Sequence, residues 1–267
     1  MQLFTGFLIA SLVAFAAYRA HSLSGSGLLG ATIVGTVIFG IGGWQWAVLL
    51  LTFFTTSTGL TRAFKKRKRG LNEKFSKGGQ RDLGQVLGNG GLATLFAGLW
   101  FFFPGETWLW AAFAASLAAV NADTWATELG VLNPYPPRLI TNLSKTVEKG
   151  TSGGISFVGT LASLTGAGLI GILAVLFPPV TVSPSLGILI TLAGLGGSLF
   201  DSLLGATAQA MYHCPACDKE TERHPLHTCG TQTTLKRGWP WLNNDWVNFA
   251  CGAVGALLAV LFLYLIE

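Results

Sequence analysis

Apolar residues in this chain gather into long runs separated by short polar connections. Runs of membrane length, about 17 to 25 residues, cover positions 3–19, 28–43, 44–60, 85–104, 107–123, 155–177, 186–205 and 246–266. Hydrocarbon offers no partner to a free backbone N–H or C=O, so each run is expected to satisfy its own hydrogen bonds as a helix. The pattern predicts an all-α, polytopic integral membrane protein of about eight helices. Residues 1–267 then form a single transmembrane domain, and the break between the second and third runs is the weakest. Three connections are large enough to hold chemistry: a basic loop at 62–84, a glycine-containing loop at 129–154 and a cysteine-rich loop at 209–245.

Composition agrees with this reading and adds a direction. The chain is 51% hydrophobic and 11% charged, against roughly 25% charged residues in soluble domains, which excludes an ordinary soluble domain. With eight alternating helices, the connections after helices 1, 3, 5 and 7 share one side. Those four connections hold Arg19, then Arg62 to Arg81, then Arg138, Lys145 and Lys149, then Lys219, Arg223, Lys236 and Arg237, which together are all 17 lysines and arginines. The positive-inside bias makes that side cytoplasmic and puts both termini outside the inner cell membrane. The first run has no charged leader ahead of it and is expected to remain as a helix. The pI of about 9.2 therefore reports topology, with anionic lipid or nucleotide as partners and no nucleic acid expected. Lys65, Lys66, Arg67, Lys68 and Arg69 read first as a juxtamembrane patch for anionic headgroups.

Stretch 121–154 concentrates the polar chemistry. Asn121, Asp123, Thr124 and Glu128 cluster at the end of the fifth run, with Asn121, Thr124 and Glu128 on one helical face. Carboxylates at membrane depth are rare and usually functional. Lys145 and Lys149 follow, and then Gly150, Thr151, Gly153 and Gly154 lead into a helix start whose amides and positive dipole end attract an anion. In the seventh run Asp201-Ser202 repeats the acid-hydroxyl pair Asp123-Thr124. The two helices run the same way, so both acids can meet at one depth. A shared Mg²⁺ is the simplest neutralisation, because that ion is usually held by one or two carboxylates plus substrate phosphates.

Ahead of the fourth run, Arg81 and Asp82 lie in GGQRDLGQVLGNGG, with Gln85 and Asn89 one and two turns on. Arg81 suits a phosphate; Asn89 suits either a ligand or an interhelical hydrogen bond. The hydroxyls of TTSTGLTR either bond back to their own helix or face a polar cavity. In the last loop, Cys214-x-x-Cys217 followed by His224, His227 and Cys229 has zinc-knuckle spacing, and Cys214, Cys217, His227 and Cys229 form the preferred structural Zn²⁺ set over free thiols or a redox pair. Beyond it, Trp239, Trp241 and Trp246 suit a membrane interface, and Asn244, Asp245 and Asn248 are expected on the cytoplasmic side.

Five segments, GQRDLGQVLGNGG, NADTWATELG, KTVEKGTSGGIS, GGSLFDSLLGA and CGTQTTLKRGWPWLNNDWVNF, together resemble the integral-membrane family catalogued as domain of unknown function 92. That family includes an animal transmembrane protein and the plant phytyl-phosphate kinases of tocopherol synthesis. More distantly, the ADT…KT-E-GT pattern is similar to that of CTP-dependent polyprenol kinases and membrane cytidylyltransferases. The resemblance implies a kinase that uses a nucleoside triphosphate, CTP favoured, to turn an isoprenyl monophosphate such as phytyl or geranylgeranyl phosphate into the diphosphate. Phosphoryl transfer asks mainly for positioning and charge neutralisation. Asp123, Asp201 and Glu128 would hold Mg²⁺ on the triphosphate, and Lys145, Lys149 and Arg81 would neutralise its oxygens. The 150–154 turn, with Asn89, Asn121 and Thr124, would complete the nucleotide site. An ionised monophosphate acceptor needs no general base, whereas an alcohol would need one, such as Asp82 or Asp245; Gln85, Asn244 and Asn248 are further candidates on the acceptor side. The alternatives are a polyprenol kinase, a cytidylyltransferase or, in another class, a small-molecule or lipid transporter. Concentration of charge on one face counts against a through-path.

Overall fold

A computed structural model describes residues 2–65, 67, 74 and 78–266. Eight α-helices occur among them: α1 (Gln2–Arg19), α2 (Gly25–Val37), α3 (Trp44–Phe64), α4 (Leu83–Leu99), α5 (Thr107–Gly130), α6 (Phe157–Leu176), α7 (Ser185–Thr207) and α8 (Asn244–Ile266). A π-helical turn, Ile38–Gly42, continues α2, and Gly43 at φ 91° ends it before α3. A single glycine in a conformation other residues rarely adopt thus makes the weakest break of the hydrophobic pattern. Six helical segments are long and apolar enough to cross a membrane: α1, α2 with its π turn, α3, α6, α7 and α8. α4 has 17 residues, and α5 is enclosed by the others. Of the basic run, Lys66, Lys68, Arg69 and Lys77 lie outside the described residues.

α5 is the axis of the bundle. Every residue from 109 to 122 is buried, and α3, α4, α6, α7 and α8 pack around it. Its face is mostly alanine because its neighbours come close. A Cβ added at Gly194 would stand 2.8 Å from Ala118 Cβ, and one at Gly197 would stand 2.6 Å from both Ala119 Cβ and the Cys251 carbonyl of α8. Small residues on both sides let helices pack by backbone contact where lipid supplies no hydrophobic drive. These paired contacts advance together along both chains, so α5 and α7 run parallel. Asp123 and Asp201 each lie four residues beyond the Ala119–Gly197 contact, one helical turn further on. The crossing therefore fixes the two carboxylates at one depth.

Away from that end, Trp46, Trp100, Trp110 and Phe113 form an aromatic cluster with centroid separations of 4.4–5.7 Å. Buried Asn121 pins three helices: its Nδ2 donates to Gly166 O at 2.8 Å, and its Oδ1 accepts from Thr56 Oγ1 at 3.2 Å and Ser57 Oγ at 3.4 Å. The hydroxyl run of α3 thus divides its roles. Thr55, Thr56 and Thr61 bond back to their own helix, Thr56 and Ser57 also reach Asn121, and Thr58 and Thr61 line the polar cavity.

Two three-stranded antiparallel sheets sit in the connections. β1 (Arg138–Leu139), β2 (Asn142–Thr146) and β3 (Gly154–Ile155) are ordered β2-β1-β3 between α5 and α6; β4 (Met211–Cys214), β5 (Lys219–Thr221) and β6 (Thr234–Arg237) are ordered β5-β4-β6 between α7 and α8. The second sheet is tied to α7 by Arg237 Nη1 donating to Gly205 O at 2.8 Å and by Gly238, where any Cβ would strike the Gln209 carbonyl.

Candidate active site

One cavity of about 780 Å³ collects the polar ends of the bundle, within the usual range for small-molecule sites. Its wall takes residues from the C-terminal ends of α3, α5 and α7, the N-terminal ends of α4, α6 and α8, and the connections after α1, α3, α5 and α7. The start of α1 and the end of α8 consequently lie at the opposite end of the bundle, and the four basic connections share this one.

Asp123, Thr124 and Glu128 from α5 face Asp201 and Ser202 from α7 across the cavity. Asp201 is acted on by the negative charges of Asp123 and of Glu222, and its Oδ2 is buried without a hydrogen-bond partner among the described residues. A desolvated carboxylate oxygen in that position is costly until something positive meets it, so the Asp123–Asp201 pair fits a hard divalent cation. Glu128 has another role: Thr61 Oγ1 donates to its Oε1 at 2.8 Å, and its charge acts on Arg81. It does not join Asp123 and Asp201 in a close group of three metal-ligating atoms; among the described residues that arrangement occurs at the cysteine loop.

Arg81 is held from several directions. Its backbone bonds to the α1–α2 connection through Arg81 N to Ser22 O at 2.9 Å and Ser24 N to Arg81 O at 3.0 Å. Its Nη1 donates to Thr58 Oγ1 at 2.6 Å, and the guanidinium lies over the Phe54 ring at 5.5 Å. Burial pulls its pKa below the ordinary arginine value, and the charge of Glu128 opposes that fall. Gln85 and Asn89 line the cavity beside it. Asp82 caps α4 instead: Gln85 N donates to Asp82 Oδ1 at 2.9 Å, and Gln85 Oε1 accepts from Asp82 N at 3.2 Å, the reciprocal capping box of helix starts.

The glycine turn lies opposite. Gly150 and Gly153 take φ of 77° and 85°, and a Cβ at Gly153 would stand 2.5–2.6 Å from Ala206 of α7. Gly150, Thr151, Gly153 and Gly154 all line the cavity. Two of their amides are spent within the turn, Thr151 N on Glu148 O and Gly154 N on Thr151 O. Ser156 caps α6, its Oγ accepting from Gly159 N at 3.1 Å. Lys149 lines the cavity while its Nζ donates to Val131 O and Asn133 O at the end of α5. Lys145 is not brought in: β2 is exposed throughout, and the residue is absent from the cavity wall. Asn121 is likewise absent, being committed to Gly166, Thr56 and Ser57. Asn244 and Asn248 face inward from α8, and Asp245 packs its backbone on Gly88 of α4.

Glu222 and Gln209 are the participants that residue patterns did not reveal. Glu222 reaches the cavity from just beyond β5, where its Oε1 accepts from Ser152 Oγ at 3.1 Å and Gln209 Nε2 at 3.0 Å. Its backbone N–H donates to Lys74 O, and Lys74 Nζ in turn meets Glu148 Oε2 at 2.8 Å. An acidic residue in a charged, cysteine-rich loop carries no spacing signal, and contact between loops 60 or more residues apart has none either.

Behind Glu222, ligand atoms of Cys214, Cys217, His227 and Cys229 all lie within 4.8 Å of one another. Cys214 Sγ and Cys229 Sγ are 3.5 Å apart, near the roughly 3.8 Å edge of a tetrahedron with Zn–S bonds of about 2.3 Å. Three thiols and an imidazole at that separation could hold a metal such as zinc. His227 is the histidine in the set, since His224 stacks on Tyr212 at 4.4 Å. Hydrogen bonding with Thr231 and then with His227 lowers the Cys229 thiol to about 5, whereas hydrogen bonding with Cys229 raises Cys217 to about 11.

A bundle of membrane-length helices with one charged cavity at a single end defines a polytopic integral membrane protein. The match extends across residues 8–256, and the chain belongs to the family described as integral membrane protein DUF92. It is 35% identical over 264 residues to Protein PGR of Arabidopsis thaliana, covering 91% of this chain and 89% of that protein. An uncharacterized membrane protein of Methanocaldococcus jannaschii is also 35% identical, over 98% of this chain and 94% of its own length. Protein VTE6, chloroplastic, of Arabidopsis thaliana is 26% identical over 90% of this chain and 65% of its own length. No solved structure matches significantly.

Proposed function

We propose that this protein is a membrane kinase that transfers the γ-phosphoryl group of a nucleoside triphosphate, CTP favoured, to an isoprenyl monophosphate, giving the diphosphate. The observation that carries the reading is the pairing of Asp123 and Asp201 at one depth, with the Oδ2 of Asp201 buried and unsatisfied, in a cavity whose other walls bear Arg81, Lys149 and the 150–154 turn. The likeness of the same segments to a family that includes phytyl-phosphate kinases agrees with it. In this reading the cavity faces the cytoplasm, where nucleotide is found.

Asp123 and Asp201 would hold Mg²⁺, whose contribution is to neutralise the triphosphate oxygens and the leaving diphosphate. Glycine at 150 and 153 lets the turn approach the phosphates closely, and Lys149 places positive charge at its start. Arg81 meets the acceptor phosphate across the cavity. An acceptor oxygen attacks the γ-phosphorus in line, the bond to the bridging β,γ-oxygen breaks, and nucleoside diphosphate leaves. The acceptor is ionised beforehand, so no side chain need take a proton. Glu222, held by Ser152 and Gln209, fixes the second sheet against the turn and keeps a third negative charge beside Asp201.

Purified protein in detergent, given CTP, UTP, ATP or GTP with Mg²⁺ and phytyl or geranylgeranyl monophosphate, is expected to form the prenyl diphosphate and nucleoside diphosphate. Formation of pyrophosphate and a CDP-lipid would instead identify a cytidylyltransferase, and no product with any combination would remove the kinase reading. We further propose structural zinc in the cysteine loop: elemental analysis should give one zinc per chain and Cys214→Ser should lose it. A wild-type preparation that is fully active yet metal-free at this loop would contradict that assignment.

A further inference from the structure

α1 packs on α2 and its π turn, and α3 packs on that turn and on α5; between α1 and α3, Phe54 packs on the small cluster that Ala14 and Ala17 form with Leu23. The two helices are joined at their polar ends, where Arg62 Nη2 donates to Ala20 O and to Ser22 Oγ. Below this tie lies an apolar cleft of about 120 Å³, with α2 and α4 as its floor and Ala14, Val34, Ala47, Phe53 and Phe54 among its walls. Val13 and Leu51 stand on opposite walls, 37% and 39% exposed. The cleft ends on Arg81, Gln85 and Asn89, and those same three residues line the charged cavity. A hydrocarbon surface therefore runs between two helices and terminates at a guanidinium that belongs to the reaction chamber.

We propose that this α1–α3 cleft seats the head-proximal end of the acceptor's hydrocarbon chain, with its phosphate against Arg81. The proposal rests on the prenyl-phosphate kinase reading and adds where that substrate binds. Apolar walls match the chain, and Arg81, the cation among the described residues lining the cleft, matches a single anionic head. Val13 on α1 and Leu51 on α3 are part-exposed along the cleft, so a chain can slide in sideways between them from the bilayer without leaving hydrocarbon. At about 120 Å³, below the roughly 150 Å³ of an apolar cavity that takes benzene, the cleft holds the part of the chain next to the phosphate, and the rest continues into the bilayer.

The test uses the full-length protein in nanodiscs, without nucleotide, and geranylgeranyl monophosphate carrying a diazirine on the isoprene unit next to the phosphate. Photoadducts are expected on α1 and α3 residues of the cleft, competed by excess unlabelled geranylgeranyl monophosphate and not by inorganic phosphate. Val13→Trp and Leu51→Trp, which fill the cleft from partly exposed positions, should each reduce labelling about tenfold at an unchanged elution volume. Arg81→Gln should do the same. Adducts spread over the lipid-facing sides of α6 to α8, labelling indifferent to all three substitutions, or displacement by added phosphatidylglycerol as strong as by the prenyl phosphate would overturn the proposal. Labelling needs no turnover, so the two readings fail separately: cleft adducts without diphosphate formation remove the kinase, and diphosphate formation with adducts elsewhere removes the cleft.

Discussion

Asp201→Asn is expected to lower prenyl diphosphate formation by at least about 100-fold, the scale seen when a preorganised electrostatic contact is lost from an active site, while the protein stays folded. The substitution keeps the shape of the side chain and removes a negative charge that faces two others, Asp123 and Glu222. Its Oδ2 has no hydrogen-bond partner to lose among the described residues. Repulsion falls and no contact is broken, so the thermal midpoint in detergent should hold or rise. Loss of activity with retained stability is the signature of a group kept for function at a cost to the fold. A parallel fall in both would mean that Asp201 acts as a packing residue. Asp123→Asn should lose activity to a similar extent.

The second large effect concerns packing that carries no charge. Gly197→Ala is expected to destabilise the bundle by roughly 1–3 kcal/mol, the usual range for overpacking a close contact, and Gly197→Leu to prevent accumulation of folded protein. The added Cβ would meet Ala119 Cβ and the Cys251 carbonyl at 2.6 Å, and neither a methyl on the axial helix nor a backbone oxygen can swing aside. α5 and α7 would have to separate, which also parts Asp123 from Asp201, so the surviving Gly197→Ala protein should lose activity in excess of its loss of stability. Gly98→Ala on α4, with nothing within 4 Å, is the control and should be neutral or slightly stabilising, since alanine is the better helix former. Equal midpoints for the two variants would contradict the parallel α5–α7 crossing.

Long apolar runs made the helices legible, because a chain in hydrocarbon has so few ways to satisfy its backbone. Their ends were less so. α5 continues to Gly130 rather than stopping at 123, since Asp123 and Glu128 break the apolar count but not the helix: they turn toward a polar cavity. The acid-hydroxyl pairs at 123–124 and 201–202 identified the two helices that meet, and the cysteine spacing identified a ligand set that the fold brings together. Lys145 was drawn in by proximity in sequence to Lys149, yet β2 carries it outward. Asn121 shares a helical face with Thr124 and Glu128 and so reads as part of the site, yet it is committed to three helix-pinning hydrogen bonds. Glu222 and Gln209 could not be read at all, because their place depends on a loop folding back over the turn at 150–154.

If the α5–α7 carboxylate pair is a divalent-cation site for nucleotide, Mn²⁺ reports on it directly. Purified protein should be titrated with Mn²⁺ in the presence of a non-hydrolysable CTP analogue while the free-ion electron paramagnetic resonance signal is followed. One bound Mn²⁺ per chain is expected in the wild type, beyond what the nucleotide binds alone, and none in Asp123→Asn/Asp201→Asn. Undiminished binding in the double variant would contradict it.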